Sequence, residues 1–209
     1  MMQFKLEPGT KLICIAKSGA GKTEFCRKLL MCRNTVFTNP PDRIIFCYRF
    51  KPNWMEEHDE VEFLHDQIPQ DIFEQDGLQK LLIIDDCVEK DFPAVADIFL
   101  RSGRHSNVST VVNYQSLFHK SQEFRSMMQN TDILVLFHMT RALYQVSHLC
   151  RQVFPNKETA KEVLELYKKT TSQRGGYLVF DFRIESSEYP LRTNVFPQVE
   201  NGFESVFRA

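Results

Sequence analysis

The chain has 209 residues, 43% of them hydrophobic and 25% charged, and a formal net charge of −1. That length supports one well-buried domain and falls short of two ordinary ones. A near-zero charge excludes a global basic field for nucleic acid, so any such contact must come from a local patch or one assembled between subunits.

The start, Met1 to Gly9, lacks an apolar leader core, and the longest apolar stretches, such as Ile133 to Phe137, are too short to span a bilayer. No membrane partner is expected, and the location is expected to be soluble and intracellular. The six cysteines, at 14, 26, 32, 47, 87 and 150, show no C-x-x-C spacing and fall mostly within apolar patterns. They read as buried free thiols in a reducing compartment. A zinc site on His148 and Cys150 is disfavoured, because positions i and i+2 of a helix point to different faces.

In chain order, Leu12 to Ile15 reads as a first strand, and Lys22 to Cys32 as a helix with Phe25, Cys26, Leu29 and Leu30 on one face. Asn39-Pro40-Pro41-Asp42 breaks the chain before a second strand, Arg43 to Tyr48. Residues 51–79 are polar and acidic, with Trp54 and Phe63 as isolated anchors, and predict a loop with at most one short helix. Leu81 to Ile84 is a wholly apolar third strand, suited to a central parallel position buried on both faces. Asp91 is placed to cap a helix with Pro93 in its first turn, running to about Ser102.

Ser109 to Asn113 is a fourth strand, Ser121 to Gln129 a short helix and Ile133 to Phe137 a fifth strand. Ala142, Leu143, Val146, Leu149, Cys150, Val153 and Phe154 recur at helical spacing. Asn156 caps a further helix bearing Ala160, Val163, Leu164 and Tyr167. After Arg174-Gly175-Gly176, the segments Tyr177 to Phe182 and Leu191 to Phe196 predict edge strands, with a frayed tail beyond about Pro197. Strands alternating with helices predict an α/β fold with a mostly parallel sheet, in a single domain with its core over about 11–197.

The run Ala16-Lys17-Ser18-Gly19-Ala20-Gly21-Lys22-Thr23 lies between the first strand and its helix. A loop of this kind is a phosphate cradle. Gly19 and Gly21 let backbone N–H groups converge on an anion, Lys22 brings a point charge to the β- and γ-phosphates, and the Thr23 hydroxyl suits Mg²⁺. Ser18 to Thr23 are the expected binding residues for ATP. Ala16 stands where the pattern has Gly, which is tolerated where φ is negative.

Leu81-Leu82-Ile83-Ile84-Asp85-Asp86 delivers two carboxylates to the carboxyl edge of the sheet. Asp85 is expected to serve the Mg²⁺ shell and Asp86 to orient or deprotonate the attacking water. Gln115, beyond the fourth strand, could sense the γ-phosphate, with Asn113 as its rival. Arg104, in Arg101-Ser-Gly-Arg104-His105, could reach a neighbouring subunit's nucleotide, or else close a helix end against its dipole. Arg141 and Arg151 are weaker candidates of that type, and Arg151 reads better as a salt-bridge partner. The Lys157, Lys161, Lys168, Lys169 and Arg174 group could form a DNA-facing surface, but reads better as a solvated face balanced by Glu158, Glu162 and Glu165.

The order of these blocks resembles the poxvirus-type genome-packaging ATPases of the FtsK/HerA class, found in large DNA viruses and Maverick/Polinton-type elements. Asp132-Ile-Leu-Val-Leu-Phe137, Arg151-Gln-Val-Phe-Pro155 and Leu191-Arg-Thr-Asn-Val-Phe-Pro197 extend the likeness from about residue 11 to 197. The Arg-His block with the downstream Gln is its most specific part. The resemblance implies a RecA/ASCE-like P-loop NTPase, a three-layer sandwich acting as a homo-oligomeric ring. It implies ATP and Mg²⁺ as cofactors, double-stranded DNA as the translocated partner, and a capsid or portal-type protein as the docking partner. On it, Lys22 and Thr23 bind phosphate and metal, Asp85 and Asp86 take the acidic roles, Gln115 senses the γ-phosphate and Arg104 acts in trans. Asp86 departs from the Glu of many relatives, although Asp-Asp is familiar in the poxvirus-like branch.

Two other classes compete. A P-loop kinase would place its acidic strand directly beside the first strand and carry an Arg-rich lid. A nucleotide-binding scaffold would bind ATP without turnover. A terminase-type motor with a following nuclease domain does not fit this length.

Overall fold

Along the central strands, side chains alternate between two apolar faces, so the sheet must be covered on both sides. The computed structural model describes residues 4–102, 106–183, 190–197, 199–200 and 204–208. Its strands are β1 Lys11–Ile15, β2 Arg43–Tyr48, β3 Val61–His65, β4 Lys80–Ile84, β5 Val108–Tyr114, β6 Ile133–Phe137, β7 Tyr177–Asp181, β8 Leu191–Thr193 and β9 Ser205–Phe207. The helices are α1 Lys22–Met31, α2 Arg33–Val36, α3 Phe92–Arg101, α4 Gln122–Gln129, α5 Leu143–Val153 and α6 Lys157–Thr170.

The strands form one sheet in the order β3-β2-β4-β5-β1-β6-β7-β8-β9. The six from β3 to β6 in that order run parallel, and β7, β8 and β9 join antiparallel. One face packs Ile13, Ile15, Leu82, Ile84, Leu134 and Leu136 against α3, α4, α5 and α6. The other packs Leu12, Cys14, Leu81, Ile83, Ile133 and Val135 against α1, α2 and Trp54. These two clusters are the outer contacts of a three-layer α/β sandwich. Each fully buried Leu or Ile contributes ~1.5–3 kcal/mol, so the alternation in these strands fixes register strongly.

β5 lies between β4 and β1, with Lys11 opposite Thr110 and Lys80 opposite Val108. The acidic strand is therefore separated from the first strand by an inserted neighbour, unlike the kinase arrangement. All the parallel strands present their carboxyl ends to one edge. Residues 16–21, 85–86, 115–121 and 138–142 meet there because each follows such an end.

Three sequence expectations need correction. Segment 51–79 is more than a loop: β3 pairs parallel with β2, and only a 3-10 turn at Met55–Glu57 is helical. Val61 is buried, Phe63 is half-buried against Phe46 and Trp54, Leu64 is half-buried on the opposite face, and Glu62 and His65 are exposed, so β3 lacks the continuous apolar run of an interior strand. The tail does not simply fray, since β9 pairs with β8 and Glu204 holds Arg192 at 2.8 Å. Asp91 does not cap α3 through its side chain; its carboxylate instead accepts from the Val88 N–H at 2.9 Å. Ser121 and Asn156 cap α4 and α6 as their positions predict.

All six cysteines are buried free thiols. Burial pushes Cys47 and Cys87 up to about 12, which leaves them unreactive. Among the described residues, no helix is long and apolar enough to cross a membrane, and no cluster of three or more His, Cys, Asp or Glu could hold a metal.

Candidate nucleotide-binding site

The turn from β1 to α1 carries the site. Ala16 is fully buried, stays outside the left-handed region, and donates its N–H to the Tyr114 carbonyl at 3.1 Å. The missing loop glycine is therefore harmless here. Gly19 and Gly21 have φ of +75° and +117°. A Cβ added at Gly21 would lie 3.3 Å from the Phe137 ring and 3.4 Å from the Gly175 Cα. That contact brings the turn between α6 and β7 against the phosphate loop, which no local sequence signal foretells. α1 starts at Lys22 with no side-chain cap, so its first N–H groups are free to meet an anion.

Lys22 is buried, and its ammonium donates to the carbonyls of Ala16 at 2.8 Å and Lys17 at 3.2 Å. Burial lowers its pKa, while Asp86 and then Asp85 pull it back up. The Thr23 hydroxyl donates to Asp85 Oδ2 at 2.8 Å, and Asn113 Nδ2 donates to Asp85 Oδ1 at 2.7 Å. Thus the phosphate loop, the acidic strand and the inserted strand converge on one carboxylate.

Asp86 is only partly buried and has φ of +54°, an uncommon conformation for a residue other than glycine. The turn is pinned on its far side by the Cys87 N–H donating to the Asn113 carbonyl at 3.0 Å. Asn113 itself is fully buried beneath the site. Gln115 stands exposed past the end of β5. The two amides that the sequence leaves as rivals thus have different surroundings: Asn113 holds Asp85, and Gln115 is open to a ligand. Arg104 lies outside the described residues. Arg101 pairs with Asp97 at 3.3 Å and covers the Phe73 ring.

A hydroxyl and a carboxylate at hydrogen-bond distance form the hard-oxygen donor set that Mg²⁺ takes, with further positions left to water and phosphate. Metal-free Asp85 is correspondingly uncomfortable. Burial raises its pKa, the Asn113 and Thr23 hydrogen bonds lower it, and Asp86 raises it again. The net shift is upward from 3.8. Between that value and its folded pKa, the folded chain binds more protons than the unfolded one, so its contribution to stability falls as pH rises through the window. Asp85→Asn is therefore expected to melt no lower than wild type in metal-free buffer at pH 7, to lose this part of the pH dependence, and to gain less from Mg²⁺ with ATP than wild type does. Thermal unfolding across pH checks it; a variant melting several degrees below wild type, or stabilised as much as wild type by the metal–nucleotide pair, would contradict it.

The combination of a glycine-bearing phosphate loop, an acidic strand one place removed and an amide-tipped strand between them defines a P-loop ATPase fold. No protein-family model matches the chain, and no curated protein matches it in sequence. Solved structures do. The DNA-packaging ATPase B204 of Sulfolobus turreted icosahedral virus superposes with a TM-score of 0.50 at 14% identity, over 85% of this chain and 94% of that one. The genome packaging NTPase B204 of Sulfolobus turreted icosahedral virus 2, in complex with ATP-gammaS, gives 0.53 at 12% identity, over 88% and 95%. The cytoplasmic domain of the Type VII secretion ATPase EccC of Thermomonospora curvata gives 0.53 at 11% identity, over 82% of this chain and 24% of that one.

Proposed function

We propose that this chain hydrolyses ATP to drive double-stranded DNA into a viral or virus-like capsid, as a homo-oligomeric ring docked on a capsid or portal-type protein. The observation that carries the catalytic half is the 2.8 Å contact between Thr23 and Asp85, which joins the phosphate loop to the acidic strand. The packaging half is supported by the likeness to the B204 packaging ATPases and by the length they share with this chain.

Ser18, Gly19, Ala20 and Gly21 turn their backbone N–H groups to the phosphates, and Lys22 leaves its two carbonyl partners for the β- and γ-phosphate oxygens. Thr23 and Asp85 hold Mg²⁺, which when bound neutralises charge on those oxygens. Asp86 accepts a proton from, or orients, the attacking water. Gln115 hydrogen-bonds the γ-phosphate and reports its loss. Arg104 enters the neighbouring subunit's site. The kinase reading is weakened by the β5 insertion between β4 and β1.

The deciding experiment is phosphate release with and without double-stranded DNA, run beside a mass measurement of the assembly. DNA-stimulated release from an oligomer supports the motor. ATP binding without turnover favours the scaffold, and a phosphorylated small molecule favours a kinase. Mixed rings supply a further expectation: Arg104→Ala mixed with Lys22→Ala regains turnover that neither has alone, because an intact arginine on a Lys22→Ala subunit completes the site of the neighbouring Arg104→Ala subunit. Absence of any recovery on mixing would remove Arg104 from that role.

A further inference from the structure

Ion pairing in this chain is lopsided. Every described arginine up to residue 101 has a carboxylate partner: Arg27 with Glu57, Arg33 with Glu60, Arg43 with Glu62 and Asp71, Arg49 with Asp66 and Asp91, Arg101 with Asp97. These pairs absorb much of the acidic segment 56–76. Arg141 and Arg151 are different. Neither makes an ion pair or side-chain hydrogen bond among the described residues, so the salt bridge expected for Arg151 does not form.

In sequence, the segments around these two arginines hold no acid; across the fold, Glu89 reaches His119 Nε2 at 2.7 Å. No Asp or Glu occurs from Ile133 to Asn156, nor from Ser116 to Gln122, where Lys120 adds another cation with no ion pair among the described residues. Within this region a cavity of about 630 Å³ is lined by Phe118, Tyr144, Gln145, Ser147, His148 and Arg151. Tyr144 is 72% exposed, far more than the core requires of an aromatic ring. Phe118 and His148 meet edge to face with centroids 5.5 Å apart. Gln145 Oε1 is buried with no hydrogen-bond partner.

The patch is also well placed. Phe118 follows Gln115 by three residues, and α5 follows β6, whose Leu136 is in register with Ile15 at the end of β1. It therefore lies on the same sheet edge as the phosphate loop.

We propose that this face, centred on Phe118, Tyr144, His148 and Arg151 and flanked in sequence by Lys120 and Arg141, holds nucleic acid by its phosphate backbone. The proposal rests on the reading of the chain as a DNA motor and supplies the local patch that its net charge demands. Unpaired cations gain most from phosphates, because binding releases condensed counterions. Exposed aromatic rings supply sugar or base contact at little entropic cost. A second copy of the chain is the weaker occupant, since the acids of segment 56–76 largely have partners of their own.

The test is equilibrium binding of a short labelled DNA duplex across a salt series, with the assembly mass recorded for each variant. Arg151→Gln is expected to weaken binding about tenfold and to lower the slope of log affinity against log salt by about one. Tyr144→Ala is expected to weaken binding while leaving that slope unchanged. Lys157→Gln with Lys161→Gln, on α6 outside the patch, is expected to stay within about twofold of wild type. Wild-type binding with unchanged affinity and slope in both patch variants would overturn this surface and leave the motor reading standing. Loss of assembly mass in those variants, with duplex affinity per assembled protein preserved, would overturn it in favour of a subunit interface. Absence of duplex binding by wild type would overturn the motor reading itself, and this surface with it.

Discussion

Lys22→Ala is expected to lower ATP turnover by about 10²–10³-fold, the loss typical when one preorganised donor to a developing charge is removed. The lysine is buried at the start of α1 with its ammonium 2.8 Å from the Ala16 carbonyl. Its charge is held there against desolvation by Asp86 and Asp85. Phosphate oxygens are stronger partners for an ammonium than a backbone carbonyl, so a bound triphosphate draws it forward. Alanine leaves the loop N–H groups intact and removes only the point charge. Nucleotide affinity and turnover should therefore fall together while the fold persists. Steady-state phosphate release, with thermal unfolding as a control, measures this. Equal release by variant and wild type would end the case for an ATPase.

Asp86→Asn is expected to lower turnover by about 10²–10⁴-fold, the usual contribution of a positioned general base, while ATP affinity changes little. The substitution isolates chemistry from structure. Asp86 sits at φ +54°, and asparagine is among the few residues that adopt this conformation readily. The turn therefore survives, with its Cys87 to Asn113 backbone bond intact. Only the carboxylate's capacity to accept a proton disappears. Asp86→Glu is a poorer replacement, because a longer side chain in a left-handed backbone moves the carboxylate away from its place. Separate measurements of ATP binding and single-turnover hydrolysis check this. A fall in turnover smaller than about tenfold would remove Asp86 from the activation of water.

Much of this was legible in one dimension. The loop Ala16 to Thr23 and the strand ending in Asp85-Asp86 are short, contiguous motifs whose chemistry follows from residue type and spacing. The continuous apolar runs of β4 and β6 declared themselves as interior strands because both of their faces are buried. Half-buried edges did not. β3 mixes charge with aromatics, and β9 is three residues long, so neither rises above the loops around it. The division of labour between Asn113 and Gln115 was also hidden, because two amides two residues apart look equivalent until one is seen beneath Asp85.

The sequence by itself determined the phosphate loop, the acidic pair and the alternation of strands and helices, since each depends on neighbours a few residues away. Tertiary structure alone decided that β5 separates β4 from β1, that Thr23 meets a carboxylate 62 positions distant, and that Arg141 and Arg151 go without acidic partners among the described residues. Those facts depend on which residues the folded sheet brings within a few ångströms, and hydrogen bonds and ion pairs are sensitive to that distance rather than to separation along the chain.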